Sequence, residues 1–192
     1  MIDLAKLTAA NLSRWNAASV THSLIPLVDG VSHRLVSAKQ RYVTVALKTT
    51  VPWPVIAVIH ERESSQSWLA SLAQGDPWSR PSIHVPRHRG PFPSWEAAAE
   101  DALVICPPHA AAWKDWSIGG ALTLLEQYNG LGYANMRRPS PYVWASTDRY
   151  HSGKYIADGH YDPNAIDHQL GCAALLSRMS LIDTTIPQEW KT

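Results

Sequence analysis

The sequence is poor in charge, in cysteine and in phenylalanine. Asp, Glu, Lys and Arg make up 17% of the 192 residues, the formal net charge is +1, and no basic run stands apart. A nucleic-acid-binding protein needs a concentration of Lys and Arg to neutralise phosphates, so we expect no nucleic-acid partner. The near-neutral balance also gives little long-range attraction toward an anionic polymer, so recognition should depend on short-range contacts in a cleft.

Long apolar runs are missing as well. The N-terminal residues MIDLAKLTAANLSRWN contain Asp3 and no apolar stretch of the length that a secretory signal needs. No segment approaches the length of a membrane span. We therefore expect a protein made in the cytoplasm without a signal peptide, with no stable membrane insertion, that acts as a monomer.

Only two cysteines occur, Cys106 and Cys172, and they lie far apart in the sequence. Two thiols outside any motif support neither a disulfide framework nor a metal site. We expect both to be buried as small apolar side chains.

Tryptophan and tyrosine are abundant where phenylalanine is scarce. Nine Trp and seven Tyr accompany a single Phe, and aromatic rings with a polar group suit surfaces that are half apolar and half hydrated, such as sugar-binding clefts. The alternative is that most of these rings fill the core.

The length suits one compact domain over residues 1–192. Helical apolar spacing from residue 4 to about residue 46 predicts two helices separated by Pro26 and Gly30. A breaker-free apolar run predicts a largely buried helix over residues 54–66. Ser94 is the predicted N-cap of the helix that follows.

The rest of the chain alternates loops and helices. Residues 75–93 carry five prolines, and we expect a long loop there with a small β-ribbon. A helix should run from Ser117 to Asn129, and residues 131–161 should be mostly loop. Asp162 followed by proline predicts the start of the last helix.

Glu63 is the strongest candidate for an acid. On the helix over 54–66, Ile56, Ile59 and Glu63 follow one another at spacings of three and four residues, so the glutamate continues an apolar stripe. Burial raises the pKa of a carboxyl group, which suits a general acid at neutral pH. Glu61 lies roughly 200° around the helix and cannot face the same way. The alternative is a solvated helix end with two ordinary glutamates.

A resemblance to known enzymes supports that interpretation. The string VIAVIHERESSQSW resembles the helix of the lysozyme-like superfamily of bacterial transglycosylases and goose-type lysozymes, in which a long apolar helix ends in Glu-Ser. The string LLEQYNGLGY resembles the downstream Tyr-Asn-Gly element of the same superfamily. The elements from IHERESS to SPYVWASTDRYHSGKYIADGHYDPNAIDHQLGCAALL are together similar to a family of phage-related and bacterial lysozyme-type proteins, over most of residues 50–176.

The resemblance implies a mainly α, lysozyme-like helical domain with a small β-ribbon. Residues 1–50 would form a helical scaffold and residues 51–179 the catalytic core. It implies cleavage of the β-1,4 bond between N-acetylmuramic acid and N-acetylglucosamine in peptidoglycan, with Glu63 as catalytic acid. A wall enzyme without a signal peptide suits delivery to the periplasm by a holin or another carrier.

A hydrolase of this type also needs a second carboxylate. In inverting enzymes it lies roughly 6.5–9.5 Å from the acid and holds the attacking water. Asp76 is the best candidate, because goose-type lysozymes similarly place an aspartate a dozen or so residues after the acid. The alternatives are a Gly-Asp-Pro turn in which Asp bonds its own backbone, or a lytic transglycosylase in which the 6-hydroxyl of the sugar attacks.

Other residues are expected to bind the substrate. The resemblance implies substrate binding by Tyr128 and Asn129. The alternative for Asn129 is that it only caps the C-terminus of its helix. The remaining substrate-binding candidates are Ser64, Trp68, Trp78, Glu126 and Tyr133.

Metal ions and cofactors are not expected. His84 and His88 have a loose ligand-like spacing without an HExxH pattern or a cysteine pair. The run DGHYDPNAID lacks the central glycine and terminal glutamate of a calcium loop. Two other kinds of protein remain open, a non-catalytic wall-binding module and a phage or secretion component that only retains the fold.

Overall fold

The protein is mainly helical, and its structure is a computed structural model that describes residues 2–187 and 190. In that part of the chain the helices are α1 (Leu4–Ala17), α2 (Ile25–Ser37), α3 (Lys39–Thr49), α4 (Trp53–Ser64), α5 (Trp95–Val104), α6 (Ile118–Tyr128), α7 (Gly132–Asn135), α8 (Pro141–Trp144) and α9 (Cys172–Ile182). The strands are β1 (Lys154–Ala157) and β2 (His160–Asp162), which pair antiparallel. The predicted class, mainly α with a small β-ribbon, is confirmed. The lysozyme-like arrangement stays a prediction.

The chain forms two compact units, which we name by their position in the sequence. The terminal unit contains Met1–His33 and Ser117–Thr192, and the central unit contains Arg34–Trp116. The prediction of one domain with a scaffold and a catalytic core stays a prediction.

The core of the central unit is α4, on which α3 packs, while α5 packs on α3. Every residue of α4 from Trp53 to His60 is buried. Pro52 caps this helix and Pro54 lies in its first turn, where a missing N–H costs nothing. Ser65 adopts a left-handed conformation and ends the helix, with its N–H donating to the carbonyl of Glu61. The predicted helix over 54–66 is therefore confirmed to within two residues.

The core of the terminal unit is α6, against which α1 packs closely. Gly119 makes the close approach possible, because a Cβ there would lie 2.9 Å from the backbone carbonyl of Thr8. Asn11 donates a hydrogen bond to the Thr123 hydroxyl across this contact, at 3.2 Å. Ser117 caps α6, its hydroxyl accepting from the N–H of Gly120.

The β-ribbon expected in residues 75–93 is a wrong prediction, because this fully described segment contains no strand. Hydrogen bonds between Ser82 and His88 and between Ser82 and Arg89 close it as a loop. Proline lacks the N–H that a β-ladder requires, and five occur here: Pro77, Pro81, Pro86, Pro91 and Pro93. The ribbon forms instead at β1 and β2, in the segment that we expected to be mostly loop.

Two predicted helix boundaries are also wrong. The last helix begins at Cys172, because the side chain of Asp162 accepts from the N–H of Asn164 in a local turn, and the N–H of Asp167 donates to the Tyr150 hydroxyl. Near the N-terminus Pro26 and Gly30 both lie inside α2, and the break that begins α3 falls at Ala38. Proline is tolerated in the first turn of a helix, so it did not mark a boundary.

Among the described residues no single helix is long and apolar enough to span a membrane. The helices α3 and α4 meet that criterion only when they are counted together across a 113° bend.

Candidate active site

Glu63 lies in the last turn of α4 and is partly buried. The chain turns sharply beyond it, because both Ser65 and Gln66 have positive φ. Non-glycine residues adopt this conformation only where surrounding contacts enforce it. The Ser64 hydroxyl donates to the carbonyl of His60 at 3.1 Å, which ties the turn back to the helix.

Asp76 follows a glycine that packs against the Glu63 turn. Gly75 has a φ of +68°, and a Cβ at this position would lie 3.5 Å from the backbone carbonyl of Glu63. The N–H of Gly75 donates to Ser71, and the N–H of Ser71 donates to the carbonyl of Asp76. The loop that carries Asp76 is thus built onto the end of α4.

Asp76 is 7% exposed, and its carboxylate is heavily hydrogen-bonded. One oxygen accepts from the N–H groups of Ile83 and His84 at 2.8 and 2.9 Å, and the other lies 2.7 Å from Nδ1 of His84. The His84 N–H in particular lowers the pKa of Asp76, and the His84 side chain and the Ile83 N–H lower it further. Asp76 is therefore ionised, as a base must be. Its hydrogen bonds also stabilise the loop of residues 76–84. Its role as a base stays a prediction.

A buried histidine, which sequence reasoning missed, lies one turn before Glu63. Nε2 of His60 is 2.9 Å from the carbonyl of Ser67, and because a carbonyl only accepts, Nε2 carries the proton. Nδ1 therefore accepts from the Tyr42 hydroxyl at 3.1 Å, and that hydroxyl accepts from Gln66. Burial lowers the pKa of His60 to about 4, so its ring is neutral at physiological pH.

Trp68 and Trp78 are brought together beside that histidine. The Trp78 indole N–H donates to the carbonyl of Trp68 at 2.8 Å. The ring of Trp68 stacks on the ring of Tyr42. The guanidinium carbon of Arg41 lies 3.8 Å from the centroid of the Trp68 ring. These contacts favour a packing role for Trp68, and sugar stacking by either tryptophan stays a prediction.

The other expected site residues lie in the terminal unit, near the end of α6. Asn129 is the C-cap of α6, and its side-chain amide donates to Ser140 at 3.2 Å. Tyr128 is partly buried. The hydroxyl of Tyr133 accepts from the N–H of Tyr155 at 2.9 Å, which joins α7 to the β-ribbon. These hydrogen bonds show that Asn129 and Tyr133 stabilise the local fold. Their substrate-binding roles stay predictions.

Glu126 is the most buried carboxyl of the expected set, with 1% of its surface exposed. Its Oε1 has no hydrogen-bond partner among the described residues. Burial raises its pKa to about 7, although the positive charge of Arg14 acts in the opposite direction. An acid that titrates near neutral pH is typical of functional sites, and the substrate-binding role of Glu126 stays a prediction.

The two cysteines are free and buried, as expected. Burial raises the pKa of the Cys106 thiol to about 11, so it is not a nucleophile at neutral pH. No group of three or more His, Cys, Asp or Glu side chains that could hold a metal occurs within residues 2–187 and 190.

Comparisons of the chain with protein-family models, with curated proteins and with solved structures find no match.

Proposed function

We propose that this protein is a glycosidase that cleaves the β-1,4 bond between N-acetylmuramic acid and N-acetylglucosamine in peptidoglycan. The observation that carries the proposal is the packing of Gly75 on the carbonyl of Glu63. It brings the loop of an ionised carboxylate, Asp76, to the helix end that bears a partly buried carboxyl. Glycosidases use two carboxyl groups in different environments, one to donate a proton and one to remain charged.

In the proposed reaction Glu63 donates its proton to the glycosidic oxygen as the bond to the anomeric carbon breaks. A water molecule attacks that carbon from the other face, and Asp76 takes the proton that the water loses. Asp76 then releases this proton to solvent and Glu63 takes one up, which restores both groups to their starting states. Trp68 and Trp78 of the central unit would contact the sugars, and we also propose that Glu126, Tyr128, Asn129 and Tyr133 of the terminal unit bind peptidoglycan.

The hydrogen bonds of Asp76 favour a second candidate activity. Both carboxylate oxygens already accept hydrogen bonds, which weakens Asp76 as a base for water. In a lytic transglycosylase the 6-hydroxyl of the muramic acid attacks the anomeric carbon instead, its proton passes to the deprotonated acid, and a 1,6-anhydro end forms. This route needs only Glu63.

Mass spectrometry of the fragments released from purified peptidoglycan tests both candidates. Fragments with reducing ends would support the hydrolase, and fragments with anhydro ends, lighter by one water, would support the transglycosylase. Asp76→Asn should slow the hydrolase at least about tenfold and should affect the transglycosylase only through the loop. Binding of the wild-type protein to peptidoglycan without any released fragment would contradict both, and would favour a non-catalytic wall-binding module.

A further inference from the structure

The terminal unit carries a concave site of about 330 Å³ between α1 and the segment that follows α7. Four cationic side chains line it, Lys6 and Arg14 from α1 and Arg137 and Arg138 from beyond α7, against the single carboxylate of Asp3. Its formal charge is thus +3, and since the whole chain carries only +1, the remaining residues are net −2. The near-neutral composition therefore conceals a local concentration of positive charge.

Two of the guanidinium groups are held in place by neutral partners. Arg14 donates to the side-chain oxygen of Asn11 at 3.2 Å, and Arg138 donates to the Tyr161 hydroxyl at 2.9 Å. Neither bond neutralises the charge, although Arg14 also interacts electrostatically with the buried carboxyl of Glu126. Preorganised guanidinium groups lose less entropy on binding, and their planar fork matches a carboxylate.

The other two cations are exposed. Lys6 lies 3.4 Å from Asp3 and is 87% exposed, so this pair is weak. Arg137 forms no ion pair among the described residues and is exposed. These two side chains can therefore be changed with little effect on folding.

The surface between the cations is apolar. Leu7 and Ala10 line the concavity along α1, Ile2 lines it from the residues before that helix, and Ala134 lines it from α7. A small, fully hydrated anion gains nothing from such a surface. A short peptide that presents methyl groups beside carboxylates gains from both kinds of contact.

We propose that this concavity, the anion groove, binds the carboxylates of the short peptide stems attached to peptidoglycan strands. The inference rests on the proposed function for its choice of ligand. The groove would bind the peptide stems of a peptidoglycan strand, while the glycan bond is cleaved at Glu63. Such contacts are charge-dependent and weaken as salt screens them.

Isothermal calorimetry with a free, synthetic stem peptide tests this, since a peptide without sugar is no substrate for a glycosidase. We expect binding that weakens with added salt, and roughly tenfold weaker binding by the double variant Lys6→Gln/Arg137→Gln. The matched control is Arg80→Gln/Arg87→Gln, which removes the same charge from two exposed arginines of the central unit and should bind like the wild type. The same peptide with its carboxylates amidated should bind roughly tenfold more weakly to the wild type.

Equal binding by the wild type and by Lys6→Gln/Arg137→Gln would overturn the inference, and so would equal binding of the amidated peptide. Displacement of the peptide by an equal concentration of inorganic phosphate would also overturn it, because the groove would then be an unselective anion site. Carboxylate-dependent binding by a protein that releases no glycan fragments would contradict the proposed function alone. Glycan cleavage with charge-independent peptide binding would contradict the anion groove alone.

Discussion

The hydroxyl of Tyr42 lies 3.1 Å from Nδ1 of His60, and both side chains are fully buried. This contact joins α3 to α4 three residues before the proposed acid. His60 holds the turn that follows Glu63 through its second nitrogen, which donates to the carbonyl of Ser67. The pair therefore supports the helix end on which the candidate active site is built.

Removing the Tyr42 hydroxyl should destabilise the protein. Tyr42→Phe leaves the buried Nδ1 of His60 without a donor, which costs about 1–3 kcal/mol. Urea unfolding followed by tryptophan fluorescence measures this loss. Tyr155→Phe, a change in a partly buried tyrosine of β1, is the control and should cost less than about 0.5 kcal/mol. Equal stability of Tyr42→Phe and the wild type would contradict the hydrogen-bond assignment.

Glu126 should make the protein less stable as the pH rises from 4.5 toward 7. Burial raises its folded-state pKa from 4.5 to about 7, so between these values the folded protein binds more protons than the unfolded chain. The free energy of unfolding contributed by this group then falls with rising pH, by about 3 kcal/mol in total. Glu126→Gln should abolish this contribution. Unchanged pH dependence in that variant would show that Glu126 does not titrate in this range.

His60 should act in the opposite direction. Burial lowers its folded-state pKa from 6.5 to about 4, so its stabilising contribution is complete above pH 6.5 and is lost, by about 3 kcal/mol, as the pH falls toward 4. The two contributions to the free energy of unfolding nearly cancel. In His60→Gln, therefore, the free energy of unfolding should fall with rising pH, because only Glu126 then titrates in this range. In Glu126→Gln, the free energy of unfolding should rise with pH, because only His60 then titrates in this range. If the stability of both variants changed with pH in the same direction, the assignment of opposite effects to Glu126 and His60 would be contradicted.

Asp76 should hold its loop closed independently of any catalytic role. Asp76→Ala removes the acceptor for the N–H groups of Ile83 and His84. Hydrogen exchange of these two amides should become at least about tenfold faster, a loss of about 1.4 kcal/mol of local protection. The control is Asp158→Ala, which changes an exposed aspartate in the turn of the β-ribbon. Retained protection in Asp76→Ala would mean that other contacts close the loop.

Local signals in the sequence predicted some of these features correctly. The breaker-free run predicted over residues 54–66 forms α4, and Ser94 caps α5 with its own hydroxyl. Each of these depends on residues within one helical turn. The β-ribbon is also signalled locally, because Asp158 and Gly159 form a turn dipeptide between the strands.

The remaining features depend on contacts between residues distant in sequence. The segment before α9 is held by the Tyr150 hydroxyl, which accepts a hydrogen bond from the N–H of Asp167. No local sequence pattern predicts that bond. His60 was recognisable only as an ionisable residue inside an apolar run, and its partner Tyr42 comes from another helix. The anion groove likewise combines Lys6 with Arg137, which lie far apart in the chain.

The central claim is that Glu63 donates the proton that breaks the glycan, and the initial rate of fragment release from purified peptidoglycan tests it most directly. Glu61→Gln is the matched control, because Glu61 lies on the same helix two residues earlier and is paired with Arg34 at 3.2 Å. We expect Glu63→Gln to lower the rate at least about 100-fold while Glu61→Gln keeps at least about half of it. Fragment release by Glu63→Gln at the wild-type rate would contradict the claim.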